Sequence, residues 1–155
     1  MKETYMREAI RISLEKMREG HGGPFGAIVV CDGHIIARGW NQVTSTNDPT
    51  AHAEIVAIRE ACRHLGDFKL DRCELYTSCE PCPMCLSAIY WARLGQIYYG
   101  STREDAADAG FDDELIYQEL SRAPAQRKVV MRQLLREDAL EAFEEWKAKP
   151  DKVPY

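Results

Sequence analysis

The chain has 155 residues, within the roughly 100–200 usual for one domain, and a chain of this size folds without covalent staples. Hydrophobic residues make up 45% and charged residues 29%, which excludes collagen, low-complexity and wholesale-disordered sequences. Twenty basic residues against 25 acidic ones leave a net charge of −5. That balance argues against a partner gripped through many phosphates, without excluding one.

In chain order, Met6, Ile10, Leu14 and Met17, with Ala9 and Ser13 between them, recur at helical spacing over residues 2–19. Gly20 and the run Gly22-Gly23-Pro24 end that helix. Phe25 to Cys31 reads as a buried strand, Asp32-Gly33 as a two-residue hairpin turn and His34 to Gln42 as the returning strand. Asp48-Pro49-Thr50 carries capping and first-turn signals for a helix running to about His64. Cys73 to Thr77 is a short strand, Pro81 to Arg93 a second helix that begins at cysteines, and Gln96 to Gly100 a further strand. A short acidic helix over Asp112–Ser121, a strand at Lys128–Leu134 and a helix at Arg136–Lys147 follow, and Pro150 and Pro154 stop the last helix. Alternating strands and helices indicate an α/β domain in which helices cover a sheet.

The first twenty residues are too charged for a signal peptide, and no apolar run reaches the roughly 18 residues of a membrane span. A cytoplasmic chain is expected. Its six cysteines (Cys31, Cys62, Cys73, Cys79, Cys82 and Cys85) then point to metal or redox chemistry rather than to disulfides.

Cys79, Cys82 and Cys85 form the informative cluster. Cys82 and Cys85 lie three apart at a helix start, so both sulfurs can face one point, and the partial positive charge of the helix terminus favours thiolate there. His52 offers a third ligand from the start of the other helix and leaves Glu54 beside it. Three such ligands plus water form a usual catalytic zinc site. Other readings stay open for the parts. A Cys-x-x-Cys pair at a strand–helix junction can be a thioredoxin-like redox motif. Cys79 could complete a four-ligand structural zinc site, and the cysteine run could hold an iron–sulfur cluster, although no fourth cysteine follows Cys85. The combination is more specific: His-x-Glu followed about 25 residues later by Pro-Cys-x-x-Cys, each opening a helix, is the signature of the zinc deaminases. One geometric difficulty accompanies it. Residues i and i+2 of a helix do not share a face, so His52 and Glu54 can meet only off the helix's N-terminal end.

The resemblance extends beyond that signature. GGPFGAIVV (22–30), NDPTAHAEIVAIREAC (47–62), LYTSCEPCPMCLSAIYWAR (75–93), AGFDDELIY (109–117) and the terminal Tyr155 closely resemble the bacterial guanine deaminases of the short, cytidine-deaminase-like type. The similarity spans nearly the whole chain and weakens after about Ser121. Ser87 departs from a glycine common among relatives. The resemblance implies a three-layer α/β/α cytidine deaminase-like fold, with a mixed sheet of about five strands in a single domain over residues 1–155. It implies one zinc per subunit, held by His52, Cys82 and Cys85, which lowers the pKa of a bound water from 15.7 toward about 7. Glu54 is then the proton shuttle for attack on C2 of guanine, giving xanthine and ammonia, in purine salvage or catabolism. Asp113 matches a second active-site carboxylate. Asn41, Phe25 and Trp91 match residues that hold the base, although Asn41 alone also reads as a turn residue. Relatives form dimers in which the C-terminal segment crosses to the partner. Residues about 135–155 are thus expected to swap in a homodimer, with Tyr155 completing the neighbour's pocket. The resemblance implies a purine base as the small-molecule partner, with no membrane. Nucleic acid is the rival, as in the tRNA adenosine deaminases, which share His-Ala-Glu and Pro-Cys-x-Met-Cys but differ at Gly110–Asp113 and at the C-terminus. Another nucleobase is a further alternative, and a structural-zinc or redox protein is the alternative outside enzymes.

Overall fold

In strand β1 (Gly26–Cys31) all six residues are buried, because the strand faces a hydrophobic cluster on each side of the sheet. Ala27, Val29 and Cys31 point to one cluster and Ile28 and Val30 to the other, the two-residue period of a pleated strand. The structure, a computed structural model, describes residues 1–155. Its chain divides into two units, Met1–Asp113 and Glu114–Tyr155.

In the first unit, helix α1 (Lys2–Arg18) covers one face of a four-stranded sheet. Strand β2 (His34–Trp40) pairs antiparallel with β1 through Asp32 and Gly33, both at positive φ, as the expected hairpin turn requires. Strand β3 (Cys73–Cys79) runs antiparallel on the other side of β1, and β4 (Gln96–Ser101) pairs parallel with β3 at the edge. A short helix α2 (Val43–Thr46) follows β2. Helices α3 (Ala53–Leu65) and α4 (Pro83–Trp91) contribute Ala53, Ala57, Ala61 and Ile89 to the cluster that holds Ala27, Val29 and Cys31. This is the expected three-layer α/β/α mixed-sheet architecture. Helix α5 (Arg103–Asp108), which carries a capping box between Thr102 and Asp105, was not read from the sequence.

Small residues set the layer spacing. A Cβ on Gly39 would lie 2.1 Å from the Ala53 carbonyl oxygen, and one on Gly26 would lie 2.4 Å from that of Ala9. The sheet and both covering layers therefore touch backbone to backbone. The same close approach rotates α1 from its expected face. Ala9, Ile12 and Ser13 are buried, while Ile10, Leu14 and Met17 of the predicted apolar stripe are about two-fifths exposed.

The second unit contains α6 (Glu114–Leu120), a 3₁₀ turn (Pro124–Gln126) and α7 (Arg136–Ala148). The strand expected at Lys128–Leu134 is irregular, so the sheet has four strands rather than about five. That segment is tied instead to α6: Arg127 Nε donates to the Glu119 and Arg122 carbonyls, and the Lys128 amide donates to the Glu119 carboxylate at 2.6 Å. A strand needs a neighbouring backbone to satisfy its amides and carbonyls, and none pairs with this segment. No helix is long and apolar enough to cross a membrane.

Candidate metal and catalytic site

The residues of the signature lie where helices begin. His52 is the N-cap of α3, with extended backbone (φ −70°, ψ 156°), and Cys82 is the N-cap of α4 (φ −65°, ψ 167°). His52 is therefore not a helical residue, whereas Glu54 lies in the first turn of α3. The difficulty of two helical residues facing opposite ways disappears, because only Glu54 obeys the helix. Helix α3 starts later than the sequence suggests. Asp48 Oδ1 accepts from the Thr50 amide at 2.8 Å and from its hydroxyl at 2.7 Å, so Asp48-Pro49-Thr50 closes a local turn instead of capping the helix.

His52 Nδ1 lies 3.5 Å from Cys82 Sγ and 3.5 Å from Cys85 Sγ, and the three ligand atoms fall within 4.8 Å of one another. Zn–S bonds of about 2.3 Å and Zn–N bonds of about 2.0 Å in a tetrahedron place sulfur and nitrogen ligands roughly 3.5 Å apart. The donor set also attracts positive charge. The Cys85 thiol and, less strongly, the His52 ring pull Cys82 down to about 4, against the burial that opposes ionisation. His52 is raised by its hydrogen bond with Cys82. The neighbouring Cys82 sulfur and burial push the Cys85 thiol upward. The residues present thus fit a zinc ion in both spacing and charge.

Glu54 is 6% exposed. The Thr77 hydroxyl donates to its Oε1 at 3.3 Å, and the Cys85 thiol donates to Oε2 at 3.4 Å. Burial raises its proton affinity. Thr77, from the middle of β3, was missed in the sequence. Its signal was weak, since a threonine in a strand needs no partner beyond the sheet. Cys79 is buried at the end of β3 and donates to the Thr102 carbonyl at 3.5 Å; it stands outside the three-ligand group.

Asn41 is buried just beyond β2. Its Oδ1 accepts from the Gly23 and Val43 amides, both at 3.2 Å, so the side chain fastens two loops and turns its Nδ2 group away from them. Both readings of this residue, turn former and binding group, are compatible with that arrangement. Phe25 packs edge-on against Phe111, with ring centroids 4.9 Å apart. Phe111 follows Gly110, whose φ of +95° turns the chain out of α5, and Asp113 comes two residues later. Partial burial and the charge of Cys82 raise the Asp113 carboxyl. Phe111 lies within the AGFDDELIY stretch, and no sequence pattern marks its contact with Phe25. Trp91 belongs to the same helix as Cys85. It ends the helix 67% exposed, six residues or about 9 Å beyond Cys85. Tyr155 is exposed at the end of the C-terminal unit. Of the remaining cysteines, Cys31 and Cys73 are buried and Cys62 is only partly so.

The cytidine and deoxycytidylate deaminase zinc-binding region matches residues 1–101. The chain belongs to this zinc deaminase family. It is 50% identical to guanine deaminase of Bacillus subtilis over 153 residues, covering 99% of this chain and 98% of that protein. A crystal structure of Bacillus subtilis guanine deaminase superposes with a TM-score of 0.96 over 99% of this chain and 98% of that one. The tRNA-specific adenosine deaminase of Agrobacterium fabrum is 43% identical, but over 63% of this chain and 64% of its own length. Family membership and donor set agree on zinc as the cofactor.

Proposed function

We propose that the protein is a zinc-dependent guanine deaminase that hydrolyses guanine to xanthine and ammonia, in purine salvage or catabolism in the cytoplasm. The observation that carries this reading is Glu54: a buried carboxyl hydrogen-bonded to a cysteine of the His52–Cys82–Cys85 group, in a chain similar to a guanine deaminase from end to end. Adenosine deaminase similarity covers only about two thirds of the chain.

In this reading His52, Cys82 and Cys85 hold one zinc per subunit. When bound, zinc supplies Lewis-acid activation of a water molecule. Glu54 would hold a proton on Oε2 and pass it to the ring nitrogen beside C2, and its burial suits it to keep that proton in between. Thr77, donating to Oε1, keeps the carboxyl in one orientation. The Phe25 ring, braced by Phe111, offers an apolar wall to the purine plane. Asn41 presents its Nδ2 group as donor, since Oδ1 is occupied by two backbone amides. Asp113 accepts from the amino group at C2 or carries the second proton needed for ammonia to leave.

The same proposal includes a homodimer in which residues about 135–155 of one copy close the site of the other. Leu134, Leu135, Phe143, Trp146, Val153 and Tyr155 are all at least 40% exposed, α7 buries no residue, and the outer edge of β4 has no strand partner. Trp91 and Tyr155 are then assigned to a wall completed when two copies dock.

The reading is tested by mixing zinc-loaded protein in parallel with guanine, adenine, cytosine and an adenosine-containing tRNA stem-loop, and following ammonia release. Release with guanine, with xanthine as product, is expected. Inosine in the RNA with silence on guanine would leave the metal group standing and overturn the substrate.

A further inference from the structure

Cys31 and Cys73 stand directly opposite each other at the last rung of the antiparallel β1–β3 ladder. Opposed residues on antiparallel strands project to the same face, and both side chains sit in the cluster beneath α3 and α4. The Cα atoms of such a pair are about 4.5 or 5.5 Å apart according to the type of rung, and both separations fall within the roughly 4.4–6.8 Å span of a disulfide. The Cys31 thiol donates to the carbonyl of Arg72, the residue before Cys73, at 3.8 Å, and both cysteines are free. Neither belongs to the metal group. Thr77, which touches Glu54, lies four residues or about 13 Å further along β3.

We propose that Cys31 and Cys73 are a cross-strand oxidation site, a dithiol that closes reversibly to a disulfide when the protein meets a hydroperoxide. Cys31 reacts first. It is 6% exposed against 2% for Cys73 and adjoins the Asp32–Gly33 turn. Burial and the neighbouring Cys31 thiol push Cys73 up to about 12, which keeps it a poor first nucleophile. The Cys31 sulfur attacks one peroxide oxygen, the O–O bond breaks, and a sulfenic acid and one water form. The Cys73 sulfur then displaces the sulfenic hydroxyl, its thiol proton leaves with that hydroxyl as a second water, and the S–S bond forms. Two thiols have lost two electrons and two protons, and one hydrogen peroxide has become two waters. The bridge ties the two central strands across a 42-residue separation in sequence, so it narrows the unfolded ensemble and leaves the catalytic end of the sheet in place.

The test uses full-length, zinc-loaded protein treated with graded hydrogen peroxide, then blocked with N-ethylmaleimide under denaturing conditions. Trypsin followed by a glutamyl endopeptidase cuts after Arg72 and Glu74, which separates Cys73 from Cys79, Cys82 and Cys85. The expected result is a Cys31–Cys73 linked peptide and an intact mass lower by about 2 Da, two hydrogens. Bound zinc is unchanged, the melting temperature rises, and dithiothreitol reverses each change. Cys31→Ala abolishes the link and the rise together. Recovery of Cys31 and Cys73 as separate blocked or over-oxidised peptides, while the more exposed Cys62 is oxidised, would overturn the proposal. So would loss of zinc before any link forms.

Discussion

Asn41 shows how one side chain can serve architecture and recognition at once. Two amides fill its Oδ1, and the loop it fastens comes so close that a Cβ on Gly22 would meet the Asn41 carbonyl oxygen at 2.2 Å. The amide nitrogen is the end left for a ligand. Asn41→Asp keeps the acceptor and removes the donor, so it separates the two duties. Its melting temperature is expected to stay within a few degrees of wild type, while kcat/KM for guanine falls about 10-fold or more, the size of one lost hydrogen bond to substrate. Thermal unfolding and steady-state kinetics on the same preparation check this; unchanged kcat/KM would remove Asn41 from recognition. His52, Glu54, Cys82 and Cys85 were legible because metal chemistry restricts residue type and spacing. Thr77 was not, because a hydroxyl aimed at a carboxyl leaves no pattern in the chain.

At the scale of elements, the two helices that carry the ligands begin at the ligands themselves. His52 and Cys82 are extended N-cap residues, so the donors project beyond the helix ends rather than from their sides. Strand and helix order was readable from alternation and from the Asp32–Gly33 turn. The exceptions share one cause: local sequence does not specify what lies opposite. Lys128–Leu134 has strand-like residues but no backbone to pair with, and α1 turns Ala9 and Ser13 inward because Gly26 admits only small neighbours. The α1–β2 junction carries a separate, pH-dependent term. Arg11, and more weakly Arg38, hold the Glu8 carboxyl down at about 2, below its ordinary 4.5, through bonds of 2.8 to 2.9 Å. A depressed carboxyl contributes fully above about 4.5 and loses its contribution as pH falls toward 2. The depression corresponds to at most ~3 kcal/mol, and screening of the half-exposed arginines reduces this to about 1–2 kcal/mol. Glu8→Gln is therefore expected to lower unfolding stability by about 1–2 kcal/mol at pH 7, with a smaller gap at pH 3. Urea titrations at the two values test this, and an equal gap at both would contradict it.

For the whole molecule, the C-terminal unit is the part with no buried residue. Its helix α7 leaves Phe143 and Trp146 exposed, more apolar surface than a chain end needs. In the swapped dimer proposed above, the final residues belong to a neighbour's site. Deleting Val153–Tyr155 is then expected to lower guanine turnover by on the order of 100-fold, the scale of a misplaced pocket wall, while bound zinc stays unchanged. Kinetics paired with metal analysis decide it, and full activity in the truncated chain would remove the tail from the site. A swap leaves little trace in sequence, because exposed apolar residues read alike whether they cover their own chain or another.

The most direct test of the account is Glu54→Gln, assayed for bound zinc and for guanine turnover in the same sample. The account predicts one zinc per subunit, as in the wild type, and a loss of turnover of about 10²–10⁴-fold, the range of a missing acid–base group. Wild-type turnover with zinc in place would show that Glu54 does not carry the proton, and would return the His52–Cys82–Cys85 group to a structural role.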